Sequence, residues 1–184
     1  MGERDQIVTQ TQAVPEQAPA TRALTGWTET GAEQVSATQT QFISFALGDD
    51  QYGVDIMAVR EIKGWSDITH LPKQPDYVRG VQNLRGSIVP IVDLRCRFGE
   101  GLTETTPLHI VIIVQVDGRQ VGLIGDRVLD IVSVEAAEIQ AVPRAGEGEQ
   151  SDFLAGLVTH DDVMIALIDL PKLLSVQDGL DLEH

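Results

Sequence analysis

Few side chains in this sequence are suited to nucleophilic catalysis or metal binding. The only cysteine, Cys96, stands between Arg95 and Arg97, and neighbouring cations favour the reactive thiolate form of a cysteine. We nevertheless interpret Cys96 as a half-buried structural residue, because it follows a strand-like apolar run. The histidines show no metal-ligand spacing with one another or with the cysteine; they are His70, His109, His160 and His184. These positions predict no catalytic residue and no metal site.

Arg85 is better placed to contact a partner. It lies between Leu84 and Gly86, among turn residues that separate two strand-like segments, and a turn presents its side chains instead of packing them. Residues 60–97 contain seven Lys or Arg and four Asp or Glu, whereas residues 98–184 contain four and sixteen. This asymmetry indicates a localised contact surface. The other arginines of residues 79–98 are interpreted as exposed residues that flank a buried strand: Arg79, Arg95 and Arg97.

The composition restricts the class of protein. The formal net charge is −15, which argues against nucleic acid and against an anionic membrane surface, because both attract basic faces. The 184 residues are enough for one or two compact domains with a real core. No stretch approaches the roughly 18 apolar residues of a membrane span, and the N-terminus lacks the regions of a signal peptide. A lone cysteine fits a reducing compartment, so we expect a cytoplasmic protein.

The elements that would position a contact surface are short strands. Residues 1–40 are predicted to form a disordered tail, because they are polar and show no sustained apolar period. Beyond them, apolar runs alternate with Gly and Asp turns, which is typical of β-structure. Helical periodicity is confined to short pieces, at residues 55–60, 93–98, 136–140 and 169–174. Residues 176–184 are predicted to be a flexible C-terminal tail, and their last three residues are typical of an expression-tag remnant.

The strand-forming part of the sequence repeats itself. A set of residues around Gly53 recurs around Gly122 with the same internal spacing. A second set around Gly80 recurs in the same order around Gly156, at a similar offset along the chain. Self-similarity of this kind predicts two copies of one unit. Each copy holds about five short strands, which suits a small barrel that removes its own sheet edges.

The repeat predicts a first barrel over residues 41–106 and a second over residues 107–175, with a groove between them. It also bears on catalysis, because the carboxylates Glu61 and Asp130 occupy the same place in the two copies. An enzyme would place its acid and its base in unlike environments. The repeat alone therefore accounts for these two carboxylates, and we expect the protein not to be an enzyme.

One block of the sequence carries a specific signal. Asn83-Leu84-Arg85-Gly86 is followed by an apolar strand that contains Pro90 and then by Asp93-Leu94. On this block the chain resembles the CheW family, the coupling proteins of bacterial chemotaxis, over about residues 41–175. The resemblance implies a mostly β fold of two SH3-like five-stranded barrels with short helices. It leaves open whether the termini of the two barrels are intertwined.

The resemblance implies a non-enzymatic adaptor that needs no cofactor. Such a protein bridges the cytoplasmic tips of chemoreceptors to the regulatory domain of the histidine kinase CheA, so that receptor state sets kinase activity. The receptor tip is a helical hairpin that lies in the groove between the barrels, which is an instance of helix-in-groove recognition. The chain would be recruited to receptor arrays at the inner membrane without inserting into the bilayer.

The resemblance also assigns residues to the receptor groove, position by position. They are Val59, Glu61, Gly80, Asn83, Arg85, Ile110, Gly122, Val128 and Ile131. The apolar members would supply contact area, and the glycines would let the backbone approach the receptor helices closely. Glu61 and Arg85 would pair either with each other or with polar receptor residues.

The kinase is expected to bind mainly the first barrel, edge to edge with a related barrel of CheA, through residues that the sequence does not identify. A second kinase contact in this family uses a basic and an aromatic residue near residues 140–145. This chain has Gln140 and Ala145 there, which predicts a contact that is weak, shifted or absent. The alternative function is therefore a competitor that binds only the kinase or only the receptor.

Overall fold

The computed structural model of the protein describes residues 39–143 and 149–175. The predicted C-terminal tail, residues 176–184, and nearly all of the predicted N-terminal tail lie outside the described residues. The predicted boundary at residue 40 is wrong by two residues, because Gln39 and Thr40 already belong to the first strand, where they pair with Glu135 and Val134.

Short strands dominate the described residues, so the prediction of a mostly β fold is confirmed. The strands are β1 (Gln39–Leu47), β2 (Asp50–Asp55), β3 (Val59–Gly64), β4 (Val78–Leu84), β5 (Ser87–Asp93), β6 (Ile110–Val116), β7 (Arg119–Gly125), β8 (Arg127–Glu135), β9 (Leu154–His160) and β10 (Val163–Ile168). The helices are α1 (Leu94–Arg97) and α2 (Leu170–Leu173), with 3-10 turns at Ala136–Glu138 and Glu149–Phe153. The helix predicted at residues 55–60 is wrong, because the end of β2, a turn and the start of β3 occupy it.

The strands form two five-stranded sheets. One has the order β3-β6-β7-β5-β4, and we call it the central barrel; the other has the order β8-β1-β2-β10-β9, and we call it the terminal barrel. Each sheet is closed by a bridge between its two edges. Thr69, just beyond β3, pairs with Val81 of β4, and Gln140, just beyond β8, pairs with Leu157 of β9. Closure of this kind removes exposed sheet edges.

The register of the strands confirms the internal repeat. Gly53 lies opposite Ser44 in an antiparallel pair and opposite Leu167 in a parallel pair. Gly122 lies opposite Ile113 and Ile91 in the same two relationships. Ser44 and Ile113 are separated along the chain by the same offset as Gly53 and Gly122. Ile91 and Leu167 are separated by the same offset as Gly80 and Gly156. The two copies, β1–β5 and β6–β10, therefore have equivalent backbones.

Each barrel nevertheless contains strands of both copies, which corrects the predicted division at residues 106 and 107. The central barrel joins β3–β5 of the first copy to β6 and β7 of the second, and the terminal barrel joins β1 and β2 to β8–β10. Residues 56–58 alone carry the chain from β2 in one barrel to β3 in the other. After this connection β3 pairs with β6 of the second copy and not with β2.

The apolar residues form three clusters that follow from this arrangement. One cluster fills the terminal barrel and contains Phe42, Val132 and Leu167. A second fills the central barrel and contains Ile91 and Ile113. The largest cluster lies between the barrels and takes residues from both of them, including Phe45, Tyr52, Leu94, Ile112 and Leu123. Burial of apolar surface between the barrels therefore fixes one barrel against the other.

A buried carboxylate ties the central barrel to the segment that links the two copies. Asp93 is fully buried at the end of β5 and its Oδ2 accepts a hydrogen bond from Arg79 Nη1 at 2.9 Å. It also accepts from the backbone N–H and the hydroxyl of Thr103, at 2.8 and 2.7 Å, and from the N–H of Cys96 in α1, at 3.3 Å. Arg79 reaches Asp93 from an irregularity in the β4–β5 ladder, where an extra residue re-aims the side chain.

An arginine between two aromatic rings links the copies at a second place. The guanidinium of Arg97 lies 4.3 Å from the ring centroid of Tyr77 and 4.4 Å from that of Phe153. Tyr77 and Phe153 are related by the same offset as Gly80 and Gly156, so they are equivalent in the repeat. Each accepts a backbone hydrogen bond at 2.8 Å from the aspartate that precedes a helix. The arginine is thus half-buried and packed, which corrects its interpretation as an exposed flanking residue.

The other two arginines predicted to be exposed, Arg79 and Arg95, are also partly buried and paired. The side chain of Arg79 is 19% exposed and pairs with Asp93. The side chain of Arg95 is 32% exposed, and its Nη2 lies 2.9 Å from Asp126 Oδ2. All three arginines therefore hold structure together, and of the four arginines in residues 79–98 only Arg85 is presented to solvent.

Replacement of Asp93 by alanine should lower the free energy of unfolding by about 3–5 kcal/mol, because it leaves the largely buried Arg79 cation without its partner. Asp169→Ala is the matched control. Asp169 is the equivalent residue of the second copy, but among the described residues its side chain accepts only from the N–H of Lys172 and pairs with the exposed Lys172 ammonium, so we expect a loss of about 1 kcal/mol. Denaturant unfolding measures both, and equal losses would contradict the role assigned to Asp93.

The stability of the fold should also decrease at high pH because of Tyr52. This residue is 7% exposed, and burial, followed by the nearby Glu100 and Asp50 carboxylates, raises its pKa from 10.0 to about 12. The unfolded chain therefore releases this proton first, and stability falls as pH rises from about 10 towards 12. Thermal unfolding of Tyr52→Phe should lack this part of the decrease; an identical pH dependence in both proteins would contradict it.

Candidate functional site

The residues predicted to bind the receptor lie on both barrels. Val59 and Glu61 are on β3, the positions from Gly80 to Arg85 are on β4 and its turn, and Ile110 and Gly122 are on β6 and β7 of the central barrel. Val128 and Ile131 are on β8 of the terminal barrel. The predicted division at residues 106 and 107 would have assigned these nine residues to two barrels, five to the first and four to the second. The strand exchange instead places seven of the nine on the central barrel.

The strands β3 and β8 are equivalent edge strands and share a β-bulge. The register of β3 with β6 shifts between Val59 and Glu61, and that of β8 with β1 shifts between Val128 and Asp130. Bulges bend edge strands and re-aim their side chains, and they are frequent next to binding sites. At the β8 bulge, Ser44 Oγ accepts from the N–H of Asp130 at 3.0 Å and donates to its carbonyl at 3.1 Å.

The bulge leaves apolar side chains of β8 in solvent on both faces of the strand. Val128 and Ile131 are 38% and 52% exposed, while the neighbouring Val132 and Val134 are buried. Two exposed residues of the same strands were missed from the sequence: Ile62 on β3, which is equivalent to Ile131, and Leu129 on β8. The repeat could have identified Ile62, since its equivalent was already assigned to the groove.

Arg85 occupies the first position of a two-residue hairpin turn between β4 and β5. Its φ of 52° and the φ of 94° at Gly86 are those of a turn whose twist matches paired strands. The side-chain carbonyl of Asn83 accepts a hydrogen bond from the N–H of Gly86 at 2.8 Å, which stabilises the turn. The Arg85 side chain is 87% exposed, as predicted for a presented residue.

Arg85 and Glu61 form an ion pair with each other. The distance from Arg85 Nη2 to Glu61 Oε2 is 3.5 Å, and the Glu61 side chain is 41% exposed. Of the two pairings left open by the sequence, the free protein therefore adopts the internal one. An ion pair this exposed contributes little to the stability of the fold. Its effect is to hold the Arg85 guanidinium near β3.

The two glycines assigned to the receptor groove also have roles inside the central barrel. Gly80 is buried with a φ of +145°, and a Cβ there would overlap the backbone of Thr69 at the bridge that closes the central barrel. At Gly122, a Cβ would lie 2.6 Å from the side chain of Ile91 and 2.7 Å from that of Val111. Both glycines therefore allow another group to lie close to the backbone, as expected of glycine. In each case that group belongs to the central barrel itself.

The predicted second kinase contact falls at a barrel closure. Gln140 forms the bridge to Leu157 through two backbone hydrogen bonds, at 2.8 and 2.9 Å. Its side chain is exposed. Ala145 lies outside the described residues.

Two groups of side chains bear on metal binding and on thiol chemistry. Within residues 39–143 and 149–175, no group of three or more His, Cys, Asp or Glu side chains could hold a metal ion. Burial, and then the Asp93 and Asp76 carboxylates, raise the pKa of the Cys96 thiol, so the neighbouring arginines do not make it reactive. Among the described residues, no helix is long and apolar enough to cross a membrane.

Comparison with known proteins identifies relatives of this architecture. Residues 41–178 match the model of a family described as the CheW-like domain. The chain is 42% identical over 130 residues to the chemotaxis protein CheW of Rhizobium meliloti, which covers 71% of this chain and 84% of the relative. It is 37% identical over 138 residues to CheW of Klebsiella aerogenes, covering 75% of this chain and 83% of that protein.

A solved structure agrees with these sequence matches. The crystal structure of the scaffolding protein TtCheW from Thermoanaerobacter tengcongensis superimposes with a TM-score of 0.70 at 31% sequence identity. The match covers 81% of this chain and 96% of that one. The likeness therefore extends over both barrels and not over one copy of the repeat.

The internal role of Gly80 predicts the effect of adding a methyl group there. Gly80→Ala should lower the free energy of unfolding by about 1–3 kcal/mol, because the new Cβ overlaps the Thr69 backbone and the left-handed φ is strained. Gly64→Ala is the control, because Gly64 has no neighbour within 4 Å of its Cβ position and an ordinary φ. Chemical denaturation compares the two variants. A stable Gly80→Ala protein would mean that the barrel closure is loose.

Proposed function

The chain belongs to the CheW family, and we propose that it acts as a chemotaxis adaptor that couples chemoreceptors to the histidine kinase CheA. The proposal rests on the match over both barrels to proteins named CheW and to a scaffolding protein. It is a binding function without catalysis, and it places the protein in the cytoplasm, at receptor arrays on the inner membrane.

The receptor partner is the helical hairpin at the cytoplasmic tip of a chemoreceptor. One observation supports this partner most. Exposed apolar side chains lie on the two equivalent bulged strands, β3 and β8, and a charged turn between β4 and β5 pairs with β3. Val128 and Ile131 on β8 and Ile62 on β3 supply apolar contact, and Arg85 and Glu61 supply polar contact. An amphipathic helix binds such a surface through residues spaced three or four apart.

The glycines also support this site from inside the barrel. Gly80 allows Val81 to pair with Thr69, and this pairing sets the position of the β4–β5 turn that carries Arg85. Asn83 then holds the turn through its bond to Gly86. Substitution at these positions would impair receptor binding through the shape of the turn.

The kinase partner is the regulatory domain of CheA, whose barrel would dock edge to edge with a barrel of this chain. Because the strands are exchanged, the predicted first barrel corresponds to no single sheet. The central barrel holds most of the first copy, since β3, β4 and β5 belong to it. It is therefore the barrel that we assign to the kinase.

Arg85→Ala should weaken binding of the receptor hairpin and leave binding of the CheA regulatory domain unchanged. If the guanidinium is desolvated in the complex, the loss is about 2 kcal/mol or more, which is roughly thirtyfold in Kd. Isothermal titration with each partner separately measures it. Arg119→Ala is the control, since Arg119 is an exposed arginine at the start of β7 on the same barrel.

The same titrations decide between the adaptor and its alternative. An adaptor binds both partners, whereas a competitor binds only one of them. A loss of less than about threefold for Arg85→Ala would make the residue a screened rim charge. Failure of the unmodified protein to bind either cognate partner would exclude the coupling function.

A further inference from the structure

The segment between α1 and β6 holds two exposed leucines in fixed positions. Leu108 is 85% exposed and Leu102 is 59% exposed. Both line one open cleft of about 590 Å³, whose charged lining consists of Arg95, Glu104, Asp126 and Arg127. The segment follows the first copy and has no counterpart in the described part of the second, so the repeat does not account for it.

The backbone next to Leu102 is firmly anchored. Thr103, which follows it, is 5% exposed, donates twice to the buried Asp93, and accepts from Arg79 through its carbonyl at 2.7 Å. This network leaves little freedom to the residue before it. Leu102 is therefore presented to solvent by a rigid piece of chain.

A compact turn presents Leu108 in the same way. The N–H of His109 donates to the carbonyl of Thr106 at 3.0 Å, and the N–H of Leu108 donates to the Thr106 hydroxyl at 3.3 Å. The N–H of Thr106 donates to His109 Nδ1 at 3.0 Å, and the carbonyl of His109 accepts from Trp65 at 2.8 Å. Rigid apolar anchors bind partners at a low cost in conformational entropy.

The floor of the cleft joins the two barrels. Asp126 Oδ2 accepts from Arg95 Nη2 of the α1 helix at 2.9 Å and from the N–H of Gly48 in the β1–β2 turn at 2.7 Å. His109 Nε2 lies 3.5 Å from the other carboxylate oxygen. The charges of Arg95 and Asp126 thereby offset each other. Arg127 is exposed at the rim and has no ion-pair partner among the described residues.

The cleft is continuous along the chain with the surface proposed to bind the receptor. Leu108 and His109 lead directly into Ile110 at the start of β6, and Arg127 leads directly into Val128 on β8. A helix seated on Val128 and Ile131 and extended past the start of β8 would therefore cross this cleft. The cation at Arg127 suits an acidic side chain on such a helix.

We propose that the 98–109 segment is a second part of the receptor-binding surface, in which Leu102 and Leu108 anchor an amphipathic helix of the receptor hairpin. This inference rests on the proposed adaptor function. It adds to that function two contact residues that neither the repeat nor the family resemblance identified. The partner helix would place an apolar side chain between the leucines and an acidic side chain beside Arg127.

The test is the binding of the full chain to a receptor cytoplasmic hairpin, measured by isothermal titration for Leu108→Asp and Leu102→Asp. Each should weaken binding about tenfold, which is about 1.4 kcal/mol, and leave binding of the CheA regulatory domain unchanged. Met164→Asp is the matched control, because Met164 is 58% exposed on β10 of the terminal barrel. Thermal unfolding checks that exposed substitutions leave the fold intact, and Leu108→Ala serves if Leu108→Asp is unstable.

The outcomes separate this inference from the function on which it rests. Weakened receptor binding by Arg85→Ala together with unchanged binding by both leucine variants would overturn the second contact and leave the adaptor intact. Weakened kinase binding by the leucine variants would assign the cleft to the kinase and overturn the inference. If the unmodified protein does not bind the receptor hairpin, both proposals fail.

Discussion

The parallel pairing of β2 with β10 and of β5 with β7 is the constraint on which the rest of the fold depends. Each pair joins a strand of one copy to a strand of the other, so neither copy closes a barrel by itself. The first of these contacts brings together strands from near the two ends of the described chain, which is costly in loop-closure entropy. The cluster that contains Phe45 and Leu123 offsets this cost by burying apolar surface between the barrels. Because strands are exchanged, this shared core also fixes the position of one barrel relative to the other. It therefore fixes the position of β3 relative to β8.

The two copies share a backbone but differ in their polar side chains. Asp93 and Asp169 both precede a four-residue helix and accept a hydrogen bond from the N–H three residues later. Only Asp93 also binds an arginine and a threonine, because the position equivalent to Arg79 is Ala155 in the second copy. In the first copy these bonds attach the 98–109 segment to the central barrel through Thr103.

The equivalent hairpin turns differ in a similar way. Arg85 and Gly86 form the β4–β5 turn, while Asp161 and Asp162 form the β9–β10 turn, with φ values of 49° and 62°. Both turns require left-handed residues, and Asp is among the few non-glycine types that adopt this conformation readily. An arginine with a φ of 52° is less usual. The repeat thus accounts for the backbone conformation of the turn. It does not account for the arginine, whose side chain we propose to contact a partner.

The sequence alone determined the strands, the repeat and the identity of the presented residue, because these depend on local patterns. Apolar alternation gives strands, Asn83 and Gly86 give a tight turn, and spacing that recurs at two constant offsets gives two equivalent copies. Only the tertiary structure decided which copy's strands share a barrel. Both copies have the same apolar pattern, so pairing within a copy and pairing between copies look alike in sequence. The observed pairs of β3 with β6, β1 with β8, β2 with β10 and β5 with β7 all join one copy to the other, and this choice is visible only in three dimensions. The same holds for Gly80 and Gly122, because the sequence around a glycine does not say which other parts of the protein lie against it.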